Sequence, residues 1–128
     1  MAKALIIDDN EMNLETLRVL LKKEGVSAVT FSSPHQLEAE LDSMDEVQVI
    51  FLDLEFPNAD GISLISDLRS VRQFAGVPII AYSVHISELN EVRLAGFDGF
   101  IGKPLDTQKF PNQLRRVLAG EPVWEVGQ

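Results

Sequence analysis

The sequence predicts an α/β fold of three layers, in which helices cover both faces of a five-stranded parallel sheet. Short apolar runs alternate five times with stretches of helical periodicity. The run at 49–52 is apolar at every position, which is typical of a strand buried on both faces. The short connections between these elements favour parallel strands joined by right-handed helical crossovers.

Each predicted strand is followed by a predicted helix. The strands cover residues 3–7, 27–31, 49–53, 77–82 and 99–101. Helical periodicity covers about residues 12–24, 34–44, 61–72, 86–95 and 110–119. Ser33 and Pro34 have the residue types of an N-cap and a first helical position. Pro111 lies too deep for a helix capped at Asp106, so we expect the last helix to have an irregular first turn or to begin later.

Length and composition indicate one globular domain in a reducing compartment. The 128 residues are 45% hydrophobic and 24% charged, and the net charge is −9. Such an acidic chain is repelled by phosphate backbones and anionic membranes, which disfavours binding to nucleic acid or membranes. The absence of cysteine excludes disulfides, thiolate metal sites and cysteine nucleophiles. Since no run has the length of a membrane span or of a signal-peptide core, the expected location is the cytoplasm.

Polar residues stand at the ends of four of the five predicted strands. Asp8 and Asp9 follow the first strand, and Asp53 closes the third. Ser83 follows the fourth strand, and Lys103 follows the fifth. Taken singly, each has an ordinary structural explanation as a helix cap, a turn residue or a solvated charge. The ends of parallel strands meet at one edge, however, where ligands bind in such sheets, so together these residues predict a single site.

The chemistry of this set favours transfer of a phosphoryl group to an aspartate. Three carboxylates about 5 Å apart would repel by roughly 3 kcal/mol per pair at an effective dielectric constant near 20. A cation or raised pKa values must offset that repulsion, and oxygen ligands select a hard ion such as Mg²⁺. Lys103 adds a positive charge suited to phosphate, and Ser83 adds a hydroxyl donor. Asp53 would then be the nucleophile.

The sequence resembles the receiver domains of two-component response regulators, the CheY-like family. The matching residues are Asp8, Asp9, Asp53, Pro57, Asp60, Gly61, Ser83, Phe100, Lys103 and Pro104. Spacings of 44, 30 and 20 residues separate Asp9, Asp53, Ser83 and Lys103 in turn. The resemblance covers about residues 3–119 and implies a flavodoxin-like (βα)₅ fold with strand order 2-1-3-4-5. It also implies a receiver domain at residues 1–120, followed by a C-terminal tail at 121–128.

The resemblance further implies roles at the phosphorylation site. Asp53 is the expected phosphoacceptor, taking its phosphoryl group from a histidine kinase or a histidine phosphotransfer protein. Asp9 would bind Mg²⁺ directly and Asp8 mainly through water, with further ligands from Asp53 and the backbone carbonyl of Glu55. Lys103 would contact the phosphate and precede a cis peptide bond to proline.

A switch and a signalling surface are also implied. The hydroxyl of Ser83 would move toward the phosphate, and the ring of Phe100 would turn inward behind it. A downstream protein would then bind the face formed by helix 4, strand 5 and helix 5. Val84, where the family usually has Ala or Gly, would narrow the mouth of the site, and Glu55 and His85 would tune the phosphate lifetime. Two arrangements fit Glu55 and His85: a pair across the opening, or two separately solvated side chains.

The predicted function is therefore a phosphoprotein switch of a phosphorelay, rather than a turnover enzyme. Two other classes are open to an aspartate on this fold. A haloacid-dehalogenase-like phosphatase would use Asp53 as nucleophile, but such enzymes usually carry Asp at the position of Glu55. A flavin-binding electron carrier would need a hydroxyl-rich phosphate loop after the first strand, where this chain has Asp8 and Asp9.

Overall fold

Six parallel strands form the central sheet of this protein. The computed structural model describes residues 2–56, 59–84 and 89–125, with residues 56, 59 and 60 described by their backbone alone. The strands are β1 Lys3–Ile7, β2 Ser27–Phe31, β3 Val49–Asp53, β4 Ile79–Ser83, β5 Gly99–Gly102 and β6 Val123–Glu125. Their order is β2-β1-β3-β4-β5-β6, and every neighbouring pair is parallel. The predicted order of the first five strands is confirmed, and β6 is added to it.

Among the described residues, five helices connect the strands. They are α1 Glu11–Lys23, α2 Pro34–Glu40, α3 Leu64–Ser70, α4 Leu89–Ala95 and α5 Phe110–Leu118. The helical patterns predicted to end near residues 44 and 72 extend beyond α2 and α3. Short 3₁₀ turns follow these helices, at Leu41–Ser43 and Arg72–Phe74. The helix α5 does begin late, at Phe110, with Pro111 in its first turn. Across the part of the chain that the structure describes, no helix combines the length and apolarity of a membrane-crossing segment.

The central strands are buried on both faces, as their uninterrupted apolar sequence predicts. Along β3, Ile50 and Leu52 pack on the side that carries α2, α3 and α4. Val49 and Phe51 point the other way and pack on the side of α1 and α5. All four side chains are at most 1% exposed. Each such burial contributes roughly 1.5–3 kcal/mol, so both cores hold β3 and the acidic residue at its end in place.

The strand β6 lies within the segment that the sequence analysis assigned to a tail. It pairs with β5 in the register Gly99↔Val123, Phe100↔Trp124 and Ile101↔Glu125. Gly99 permits this approach, because a Cβ atom there would lie 2.5 Å from the carbonyl oxygen of Val123. Val123 is itself fully buried in the core beside α5. A strand of three residues after Pro122 is too short to show an alternating pattern, which is why the sequence does not predict it.

Side chains from two helices hold β6 in place. The guanidinium of Arg93, on α4, lies 4.2 Å from the centroid of the Trp124 ring. From α5, the side-chain amide of Gln113 donates a hydrogen bond of 2.8 Å to Glu125. Arg116 forms an ion pair with the same carboxylate. The hydrogen bonds from Arg116 and Gln113 hold the pKa of Glu125 below its usual value. Thus β6 bridges α4 and α5.

Candidate functional site

Three carboxylates meet at the carboxyl ends of β1 and β3. Because these strands are neighbours in the sheet, Asp8, Asp9 and Asp53 come together, and one carboxylate oxygen from each lies within 4.8 Å of the others. Asp8 and Asp53 are at most 1% exposed, whereas Asp9 is exposed. The structure therefore brings together the acidic residues that the sequence analysis selected.

The turn after β1 fixes the directions of the two neighbouring aspartates. Asn10, not the aspartate pair, caps α1, and its side chain accepts a hydrogen bond from the backbone N–H of Asn13. The N–H of Asn10 in turn donates to Oδ1 of Asp8 at 2.8 Å. This local network keeps Asp8 inside the site and leaves Asp9 at its surface.

Gly61 lets the chain return closely over the end of β3. The backbone around Glu55 pairs with that around Asp60 in a two-residue antiparallel bridge. A Cβ atom on Gly61 would lie 2.5 Å from Cα of Leu54 and 2.9 Å from the carbonyl oxygen of Asp53. Since these are backbone atoms that cannot yield cheaply, the position requires glycine.

Lys103 faces the carboxylates from the end of β5. Its ammonium donates to Oδ1 of Asp53 at 2.7 Å and lies 3.7 Å from Oδ2 of Asp8. The lysine side chain is 10% exposed, so little water screens these contacts. The Lys103–Pro104 peptide bond is cis, as the resemblance implied.

Tyr82 is a site residue that the sequence analysis missed. Its buried ring lies beneath the Lys103 ammonium, 4.5 Å from nitrogen to ring centroid, and it pairs with Asp53 across the sheet. Burial raises the pKa of the Tyr82 phenol, and the charges of nearby carboxylates raise it further. An aromatic residue directly before Ser83 was the available signal. Its role as a platform for the lysine depends on the pairing register, which the sequence does not show.

Burial also sets the charge state of the central aspartate. It raises the pKa of Asp53 to about 7, and the charge of Asp8 adds to the rise while contacts with Lys103 and the Glu55 N–H oppose it. In the metal-free site, Asp53 therefore keeps its proton to a higher pH than an exposed aspartate does.

The acidic cluster has the donor set of a hard divalent cation. Oδ2 of Asp8 is buried and has no hydrogen-bond partner among the described residues. A buried carboxylate oxygen without a partner is energetically unfavourable, and a cation would remove that cost. The three side chains offer only oxygen ligands, which suits Mg²⁺ or another hard ion.

The two residues expected to form the switch are both fully buried. Ser83 closes β4 and pairs with Gly102, and its carbonyl oxygen accepts a hydrogen bond of 2.9 Å from the Lys103 N–H. Phe100 lies on β5, in the core beside α2, α3 and α4. Ser83 thus lies next to the lysine, while Phe100 lies deeper and toward β6.

Glu55 and Val84 form part of the mouth of the site, a cavity of about 540 Å³ that the three aspartates and Lys103 also line. Oε1 of Glu55 accepts a hydrogen bond of 3.4 Å from the N–H of Val84, whose side chain is 55% exposed. Oε2 of Glu55 is buried, and it finds no hydrogen-bond partner in the described part of the chain. Glu55 therefore does reach across the opening, whereas His85 and Pro57 lie outside the described residues.

Comparison with known proteins identifies the class that this fold and site define. The sequence model of one protein family, the response regulator receiver domain, matches residues 4–115 of this chain. The chain belongs to the response regulator receiver domain family, and its resemblance to that family is confirmed. This family comprises signalling switches of two-component systems rather than turnover enzymes, which sets aside the phosphatase and the flavin carrier.

Curated relatives include both longer regulators and single receivers. The chain is 30% identical to the transcriptional regulatory protein CpxR of Klebsiella pneumoniae, over 98% of this chain and 59% of that protein. It is 25% identical to the polar-differentiation response regulator DivK of Brucella ovis, over 89% of this chain and 94% of that one. The chain thus spans little more than half the length of CpxR, but nearly all of DivK.

Solved structures share the fold. The chemotaxis protein CheY4 of Vibrio cholerae superposes with a TM-score of 0.81 at 23% identity, covering 91% of this chain and 98% of that one. The receiver domain of a sensor histidine kinase from Pseudomonas aeruginosa superposes with a TM-score of 0.79 at 21% identity, covering 92% and 98%. That structure has a magnesium ion coordinated in its active-site cleft.

Proposed function

We propose that this protein is a phosphorylation-activated switch whose phosphoacceptor is Asp53. The phosphoryl donor would be the phosphohistidine of a histidine kinase or of a histidine phosphotransfer protein. The observation that carries the proposal is the placement of one buried carboxylate between a lysine ammonium and two further carboxylates. Such an aspartate is suited to phosphoryl transfer, because the added negative charge of the phosphoryl group would lie beside the lysine ammonium.

Mg²⁺ is the proposed cofactor. Asp8, Asp9, Asp53 and the backbone carbonyl of Glu55 would hold it, and this assignment is supported by the buried Oδ2 of Asp8, which has no hydrogen-bond partner among the described residues. The bound ion would neutralise charge on the phosphoryl oxygens. The magnesium ion in the cleft of the Pseudomonas aeruginosa receiver is consistent with the same role here.

Three side chains of the site would have separate roles in the phosphoryl transfer. A carboxylate oxygen of Asp53 forms a bond to phosphorus as the bond from phosphorus to the donor imidazole nitrogen breaks, and that nitrogen keeps the electron pair. Lys103, already 2.7 Å from Asp53, would exchange this contact for one to a phosphoryl oxygen. The hydroxyl of Ser83 would donate to a second oxygen, and burial of the site limits access of water.

Signalling would follow through protein contacts. Movement of Ser83 toward the phosphate would be coupled to the ring of Phe100, and a partner would sense the surface formed by α4, β5 and α5. The net charge of −9 supports a protein partner over nucleic acid or a membrane for this domain. We place the protein in the cytoplasm, where kinases have ATP. We also propose that the receiver unit extends from residue 1 to residue 125, because β6 completes its sheet.

The decisive experiment is phosphorylation by a small donor. With acetyl phosphate and Mg²⁺, intact-mass measurement should show the addition of one phosphoryl group. Asp53→Asn should prevent this addition, and removal of Mg²⁺ with a chelator should slow it strongly. Asp42→Asn, which changes an exposed carboxylate in the turn after α2, is the matched control and should behave as wild type. No mass increase in the wild-type protein, or an equal increase in Asp53→Asn, would contradict the proposal.

Glu55 is expected to prolong the life of the aspartyl phosphate. Its side chain reaches across the mouth of the site to the N–H of Val84 and so narrows the path for water. Glu55→Ala should therefore speed the decay of the phosphorylated protein by about 2- to 10-fold, within the range of general acid–base and access effects. The decay is measured by intact mass after removal of the donor.

Two further variants separate the causes of that effect. Glu55→Gln keeps the length and the acceptor oxygen, so it should decay at nearly the wild-type rate if the bridge to Val84 matters. His85→Ala tests the partner suggested by the sequence. Unchanged decay in both Glu55→Ala and His85→Ala would rule out a role for these residues in the lifetime.

A further inference from the structure

The sixth strand covers the side of Phe100 that a five-stranded sheet would leave at its edge. Phe100 lies on β5, which has β4 on one side and β6 on the other. Trp124 is its register partner on β6, and both belong to the face that carries α2, α3 and α4. Phe100 is fully buried, and Trp124 is half-buried. The tryptophan therefore lies beside Phe100 on this face, on the strand that forms the edge of the sheet.

Contacts from three elements hold Trp124 and its strand in place. Arg93 lies against its ring, and the ion pair of Glu125 with Arg116 fixes the next residue of the strand. Gly99 lacks the Cβ atom that would collide with Val123, so β5 accepts the strand at close range. These contacts come from α4, β5 and α5, the elements that the proposed function assigns to signalling.

We propose that Trp124 is a positioning residue for the switch, holding the Phe100 ring in its buried position while β6 is docked. This inference rests on the proposed function, in which the ring turns inward when Asp53 is phosphorylated. An outward movement of the ring would require Trp124 to be displaced. Docking of β6 and phosphorylation of Asp53 therefore favour each other, and by linkage each must strengthen the other by the same factor.

The first test is the effect of Trp124 on phosphorylation. Trp124→Ala should lower the phosphorylated fraction reached with limiting acetyl phosphate and Mg²⁺, shifting the half-maximal donor concentration upward by about fivefold or more. Trp124→Phe keeps an aromatic ring at the position beside Phe100 and should restore most of the wild-type response. Leu94→Ala removes an apolar side chain from α4 that is 88% exposed, so it is the matched control and should have no effect.

A second variant guards against misfolding of Trp124→Ala. Arg93→Gln removes the cation beside the indole but alters only an exposed helical position. It should shift the donor concentration in the same direction and by a smaller factor. Circular dichroism and urea unfolding would show whether each variant is folded, and a purely structural role of Trp124 would change the unfolding midpoint without moving the donor concentration.

The reciprocal test uses the fluorescence of Trp124, the only tryptophan in the chain. Beryllofluoride with Mg²⁺, a stable mimic of the aspartyl phosphate, should reduce quenching of Trp124 by acrylamide. Asp53→Asn should show no such change. If the wild type is phosphorylated normally, but quenching is unaltered and Trp124→Ala responds like wild type, the inference is wrong and the proposed function stands. If the wild type takes no phosphoryl group, the proposed function itself fails.

Discussion

Replacing Asp53 with Asn is expected to raise the free energy of unfolding of the metal-free protein by about 2–4 kcal/mol at pH 8. Burial raises the pKa of Asp53 to about 7 in the folded protein, from an ordinary value of 3.8. Between these values the unfolded chain releases its proton while the folded protein keeps it. The wild type therefore loses stability as the pH rises from about 4 to about 7, and the loss is complete above that range. Asparagine carries no charge, so Asp53→Asn does not undergo this loss of stability.

Urea unfolding in the presence of a chelator, at pH values from 4 to 8, would measure this difference. Wild type and Asp53→Asn should have similar stability near pH 4 and should diverge as the pH rises. Added Mg²⁺ should reduce the gap at pH 8, because a cation favours the charged carboxylate. Asp42→Asn serves as the control, since its carboxylate is exposed. A difference that did not depend on pH would show that charge on Asp53 is not its origin.

Replacing Lys103 with Met should separate phosphorylation from metal binding. The lysine ammonium is 2.7 Å from Asp53 and 3.7 Å from Asp8, so its loss removes the positive charge beside the proposed phosphoacceptor. Phosphorylation by acetyl phosphate should slow by about 10²–10³-fold, the range found when one preorganised donor is removed from a reacting centre. Mg²⁺ should instead bind about tenfold more tightly, because a competing cation is no longer present.

The two effects are measured on the same protein, the rate by intact mass and the affinity by titration with Mg²⁺. Lys22→Met makes the same change of charge at an exposed position near the end of α1, whereas the site lies at the start of that helix. It should leave both quantities close to those of wild type. Weaker Mg²⁺ binding in Lys103→Met would mean that the lysine organises the carboxylates rather than competing with the ion.

The sheet and the acidic centre were predictable because their determinants lie in short, local patterns. The run Val49–Leu52 is apolar at every position, and both cores bury it. Placing Asp8, Asp53 and Lys103 at one edge then required only that the strands be parallel, since parallel strands share the direction of their carboxyl ends. The parallel arrangement alone therefore predicts that these three residues, distant in sequence, are neighbours in the fold.

The features that escaped prediction depend on register and on long-range contacts. The ring of Tyr82 lies beneath Lys103 because β4 pairs with β5 in one particular alignment. The strand β6 depends on Gly99 and on partners in α4 and α5, not on its own three residues. The residue types at such positions are compatible with many environments, so sequence alone does not identify their partners.

The strand β6 would affect which partner proteins can bind this domain. A protein shaped to fit β5 as the exposed edge of a five-stranded sheet would collide here with Trp124 and Glu125. On the proposed signalling surface, a partner protein would instead have to match β6, including the cation of Arg93 beside the indole. Binding specificity would then come from steric exclusion of non-cognate proteins by β6 as well as from attraction of the cognate partner. This would limit binding of non-cognate proteins without any change at the acidic cluster.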